Sequence, residues 1–155
     1  MNEYLEEAKE ELKRVDHIIY VSLKYTRTVD VILNAVHRLV SAFDFIIEGI
    51  LWYHQQQKRI KDIPKSPKVK IDVLKSLYPG DLRMEKYILF YLFLRELVIA
   101  HYDRREEYRR YVTMISKLDR RTAEVDIDVL EDNFDMLAKE FLDYAEITTG
   151  IKQIE

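Results

Sequence analysis

The sequence predicts an all-α fold, a single antiparallel four-helix bundle of long helices. Three observations point there. The 155 residues include only three glycines and three prolines, so few turns can be built and the elements between them must be long. Apolar residues recur at three- and four-residue steps through most of the chain, the spacing of a helix stripe. Apolar residues make up 48% and charged residues 34%, a balance that supplies one packed core rather than a disordered chain. The whole of 1–155 reads as one domain.

The first helix is expected over residues 3–25. Asn2 is a plausible N-cap, and Leu5, Ala8, Leu12, Val15, Ile19 and Leu23 form its stripe. Glu3, Glu6 and Glu7 suit the positive end of the helix dipole. A second helix is expected over 28–61, capped by Thr28, with Val29, Leu33, Val36, Val40, Phe43, Ile47 and Ile50 on its apolar face. At ~1.5 Å per residue it would be roughly 50 Å long, the backbone of the bundle.

Residues 62–81 read as the main loop, because they hold all three prolines and Gly80. Within them, Ile71–Leu77 can add a short helix. A third helix is expected over 82–118, capped by Asp81. Its first half contains the longest apolar run, Tyr87 to Leu94, and should be the most buried element. Its second half is charged. A fourth helix is expected over 128–148, with Asp128 as N-cap, Glu131 at the capping-box offset and Gly150 as its stop. Eleven tyrosines and six phenylalanines exceed what such a core needs, so a homodimer is expected to cover the remainder.

Several function classes fall away. The chain has no cysteine, which removes disulfides, thiolate nucleophiles and cysteine zinc sites. No histidine follows a carboxylate at the three-residue offset of a di-iron bundle, so neither metal nor cofactor is expected. Asp30, His37, Asp44 and Glu48 form the one polar stripe that could argue otherwise. Gly49, Gly80 and Gly150 are too scattered for a phosphate loop. No secretory segment or membrane-length apolar run is present, so a cytoplasmic protein that does not enter the membrane is expected. Charge is uneven: residues 58–121 carry 17 basic and 9 acidic groups, and residues 122–155 carry 2 basic and 10 acidic. That polarity suits a nucleic-acid partner, or pairing of the two regions with each other.

Arg95 and His101 stand out on the apolar third helix, where a guanidinium needs a partner or a wet cleft. Five residues separate them, and Glu96 follows the arginine. This stretch resembles the HEPN superfamily, whose helical bundles carry an arginine, usually a polar residue after it, and a histidine after four to six intervening residues. Glu96 departs from that pattern, since the family most often has asparagine there. The resemblance covers mainly residues 28–111. It implies RNA cleavage without metal across a dimer, with His101 as the acid/base group and Arg95 on the scissile phosphate. It also implies, for inactive members, a nucleotidyltransferase-type protein partner.

Arg104, Arg105, Tyr108 and Arg109, with Lys65 and Lys68 of the loop, are the candidate RNA-binding residues. Arginines hold phosphates and tyrosines stack on unpaired bases. Arg110 and Tyr111 continue the same interleaving. The competing reading is a non-catalytic interaction or scaffold protein, with Arg95 sealed by Asp44 or Glu48 and His101 facing the core.

Overall fold

The computed structural model describes residues 2–153. Helix α1 (Glu3–His17) starts at Asn2, whose side-chain oxygen accepts from the Leu5 N–H at 3.3 Å. The same side chain donates to the Gly49 carbonyl at 2.9 Å. The chain continues through a π-helical turn (Ile18–Ser22) and a last α-turn (Leu23–Tyr25). Helix α2 (Val29–Gln56) then runs back along α1, because Asn2 meets Gly49 while Leu23 lies beside the turn that joins the two helices. Thr28 caps α2 as expected, its hydroxyl accepting from the Val31 N–H.

Helix α2 ends at Gln56, short of the expected Lys61. Lys58 takes a left-handed conformation (φ 61°), and the N–H groups of Lys58 and Arg59 turn back onto the carbonyls of Gln55 and His54. The last buried side chain of the helix is His54, so the polar residues beyond it gain nothing from continuing. Within the expected loop, α3 (Pro67–Leu77) starts earlier than Ile71, with Pro67 in the first helical position, where its missing N–H costs nothing.

The largest correction concerns the all-α expectation. The chain is mostly helical, but α4 (Leu82–Ile99) ends where the third helix was expected to continue to Leu118. Ala100 is extended, and a three-stranded antiparallel sheet follows in the order β1 (His101–Arg105), β2 (Thr113–Lys117), β3 (Thr122–Val125). Thr113, Met114 and Ser116 of β2 are buried, as is Val112 just before it, while Lys117 is exposed. His101 pairs with Lys117 and Arg105 with Thr113 in the register. The run Asp103 to Tyr111 is therefore strand and turn rather than a charged helix.

Asp126, directly after β3, caps the last helical segment by accepting from the Val129 N–H at 2.9 Å; the expected cap, Asp128, lies two residues further on, in the first turn. A π-helical stretch (Leu130–Asp135) leads into α5 (Met136–Thr148). Phe43 of α2 joins these elements: its ring lies 6.1 Å from Tyr91 of α4 and 5.1 Å from Phe141 of α5. Among the described residues no helix is long and apolar enough to cross a membrane.

Candidate nucleic-acid interface

The β1–β2 turn is fastened to the start of α2. The Glu107 carboxylate accepts from the Val29 N–H at 3.0 Å, satisfying a helix donor that Thr28 leaves open. The Tyr108 N–H donates to the Arg27 carbonyl at 2.6 Å. Both fastenings need a tight turn, and Glu106 (φ 57°) and Tyr108 (φ 66°) adopt left-handed conformations to make it. For residues other than glycine such conformations cost about 1 kcal/mol or more and concentrate at functional sites.

Beside this turn lies a cleft of about 390 Å³ with Leu23, Val112 and Ile127 as apolar lining. Lys24, Arg27 and Arg110 supply three cations, and Asp128 and Glu131 contribute carboxylates. Glu131 also faces Tyr20, whose hydroxyl pKa is raised by burial and then by that carboxylate. The π-helical turns of Ile18–Ser22 and Leu130–Asp135 flank the cleft in sequence on both sides. Three tyrosines near it are strongly exposed: Tyr25 (87%), Tyr108 (79%) and Tyr111 (53%). The Arg110 guanidinium lies over the Tyr111 ring at 5.3 Å.

The arginines singled out from the sequence are differently placed. Arg104 is bound to Asp30 at 2.9 Å and lies 3.5 Å from Glu107. Arg105 pairs with Glu124, and Arg109 lies 3.8 Å from Glu106. These three hold the sheet and its turn. By contrast, none of Lys24, Arg27 and Arg110 has a carboxylate within ion-pairing distance among the described residues. Lys24, Tyr25 and Arg27 were missed in the sequence. The signal was the run Lys24-Tyr25-Thr26-Arg27 directly before a helix cap, where a helix end must be exposed.

Arg95 and His101 open into separate depressions. Arg95, exposed on α4, lines a groove against α3 with Lys68, Asp72 and Lys75. Its guanidinium donates to the Tyr91 hydroxyl at 3.4 Å, and that hydroxyl donates to Asp44 at 2.5 Å. The Asp44 carboxyl is raised by burial, against the opposing pull of the Tyr91 hydrogen bond and of Arg95. Arg95 is thus linked to Asp44 through Tyr91 rather than sealed by it. His101 is exposed at the start of β1 and lines a shallow depression with Glu96, Ile99 and Lys117. Lys65 is exposed in the loop before α3. Among the described residues no group of three or more acidic or histidine side chains could hold a metal ion.

Neither a protein-family model, nor a curated protein, nor a solved structure matches the chain.

Proposed function

We propose that this protein binds single-stranded RNA, with phosphates held in the Lys24–Arg27–Arg110 cleft and bases stacked on Tyr25, Tyr108 and Tyr111. The observation that carries the reading is the division of labour among the cations. Arg104, Arg105 and Arg109 pair with carboxylates, while among the described residues the cleft's three cations have no carboxylate within ion-pairing distance and stand beside exposed aromatic rings, with Asp128 and Glu131 farther along the same lining. Unpaired cations attract a polyanion, and sequence-tolerant stacking on an aromatic side chain contributes about 1–3 kcal/mol per base. Unpaired bases of RNA loops and ends supply such faces, whereas a duplex hides them. The HEPN resemblance supports an RNA-handling role. Binding is favoured over cleavage by Arg95 and His101, because those side chains line different depressions of one chain.

The test is fluorescence anisotropy with a labelled single-stranded oligouridylate, alongside the same sequence as DNA and a duplex. Saturable RNA binding that weakens with salt is expected, with an affinity loss of at least about tenfold in Arg27→Glu/Arg110→Glu. No binding at low salt, or a double variant that binds like the wild type, would overturn the assignment. Cleavage of the RNA in EDTA that disappears in His101→Ala would instead establish the catalytic form.

A further inference from the structure

A second cavity, of about 480 Å³, lies between the start of α1 and the last turns of α2, lined by Glu3, Tyr4, Glu7, Phe45 and Trp52. Small-molecule sites typically enclose about 300–1,000 Å³. Gly49 stands between Phe45 and Trp52 in α2 and has no Cβ to hold Leu5 of α1 away, so the two helices meet closely beneath the cavity. Phe45 and Trp52 are two turns apart, about 10.5 Å along one face of α2. Glu3 and Glu7 are one turn apart, about 6 Å along one face of α1. The lining is unpartnered within the chain. Tyr4, Phe45 and Trp52 are half-buried, yet among the described residues none of the three rings has another ring or a cation against it. Neither the Tyr4 hydroxyl nor the Trp52 indole N–H has a hydrogen-bond partner among those residues. Glu6 is taken by Lys9 at 3.3 Å, whereas Glu3 and Glu7 have no ion-pair partner among the described residues.

The helix dipole accounts for carboxylates in the opening turns of α1, but not for three free rings gathered beside them. No basic side chain lines the cavity. One wall is therefore anionic and the other presents aromatic faces, the two features that recognise an organic cation. A bare divalent metal ion fits poorly, because two carboxylates are too few and the Phe45 and Trp52 rings offer no oxygen ligand. We propose that this cavity binds a linear aliphatic polyamine. Its hydrocarbon stem lies over the Tyr4, Phe45 and Trp52 rings, and two of its ammonium groups sit on Glu3 and Glu7. Two carboxylates one turn apart match two charges on a short chain, which a polyamine carries and a single quaternary ammonium does not. Methylenes covered by aromatic carbon leave water while the charged ends keep their partners. No residue of this cavity belongs to the Lys24–Arg27–Arg110 cleft, so losing one binding activity leaves the other intact.

Trp52 is the chain's single tryptophan, so its fluorescence reports the site directly. Titrating the RNA-free protein with spermidine should change that emission saturably. Magnesium chloride at matched ionic strength should not displace the spermidine, and tetramethylammonium should bind at least about tenfold more weakly. Glu3→Gln/Glu7→Gln keeps the side-chain shapes and should lose at least about tenfold in spermidine affinity, with circular dichroism unchanged. Trp52→Leu, followed by calorimetry, should also weaken binding. An emission unmoved at about 1 mM spermidine, a double variant that binds like the wild type, or magnesium that displaces spermidine would each overturn the proposal.

Discussion

The Tyr108 N–H donates to the Arg27 carbonyl at 2.6 Å, while Tyr108 remains 79% exposed. Its backbone is in the left-handed region at φ 66°, a conformation that glycine adopts without the steric cost of a Cβ. Stability and binding therefore make opposite demands on this position. Replacing Tyr108 with glycine should leave thermal stability unchanged or raise it by up to about 1 kcal/mol. The same change removes one stacking surface and should weaken RNA binding by about tenfold. Calorimetry and anisotropy on Tyr108→Gly check both halves. A variant that loses stability and keeps its affinity would mean that the tyrosine is held there for packing.

Much of this arrangement was legible where the determinants are local. Asn2, Thr28 and Asp81 cap their helices as their side-chain chemistry requires, and the stripe from Val29 to Ile50 faces the core. The end of α4 was not legible. Glu106 and Glu107 stand three and four residues before Arg109 and Arg110, as in a salt-bridged helix. What overrides that pattern is the pairing of β1 with a strand across an intervening turn, a non-local contact that no local window contains. The clue was the run Val112-Thr113-Met114-Ile115, in which three of four residues are β-branched. Because α4 stops before Ala100, Arg95 and His101 do not share a helix, and the site expected from their spacing divides in two.

Gly49 tests how closely α1 and α2 must approach. A Cβ added there would lie 2.7 Å from the Leu5 Cδ2 atom and 2.9 Å from its Cγ, with the Asn2 side-chain oxygen 3.2 Å away. Leu5 is only 1% exposed and cannot move outward. In an exposed helix Gly→Ala is stabilising by about 1 kcal/mol. Here overpacking, typically 1–3 kcal/mol, should outweigh that gain. Gly49→Ala is expected to lower the Tm by several degrees, at roughly 2–4 °C per kcal/mol for a chain of this size. An unchanged or raised Tm in calorimetry would show that the helices part more easily than their contact implies.

His54 gives the fold a dependence on pH with a definite sign. The Arg59 guanidinium can only donate, so the histidine Nδ1 at 3.1 Å must accept, and Nε2 then donates to the Tyr78 hydroxyl at 2.8 Å. Burial, and then Arg59, hold the His54 pKa below its usual value. The neutral ring is thus favoured in the folded state. Its contribution is complete above about pH 6.5, the unfolded value, and is lost as pH falls through the lower folded value. Urea midpoints should show His54→Gln less stable than the wild type at pH 7, with the gap narrowing by pH 5. A constant gap would show that the ring's protonation is not coupled to folding.

Asp135 pulls in the opposite direction. It is 2% exposed, and one carboxylate oxygen takes the Lys139 ammonium at 3.0 Å while the other has no hydrogen-bond partner. Lys139 also holds Asp16 at 2.9 Å, so two carboxyls crowd one cation. Burial, and then the Asp16 carboxyl, push the Asp135 pKa up to about 7. The folded value is raised above the ~3.9 of an unfolded aspartate, so its contribution is present below that value and lost as pH rises through about 7. Asp135→Asn keeps the shape, supplies an N–H toward Asp16 and removes the charge. Relative to this variant, the wild type should lose on the order of 2 kcal/mol between pH 5 and pH 8, at about 1.4 kcal/mol per pKa unit. Urea unfolding of both proteins across that range decides the matter: diverging curves place the titration at Asp135, and parallel curves exclude it.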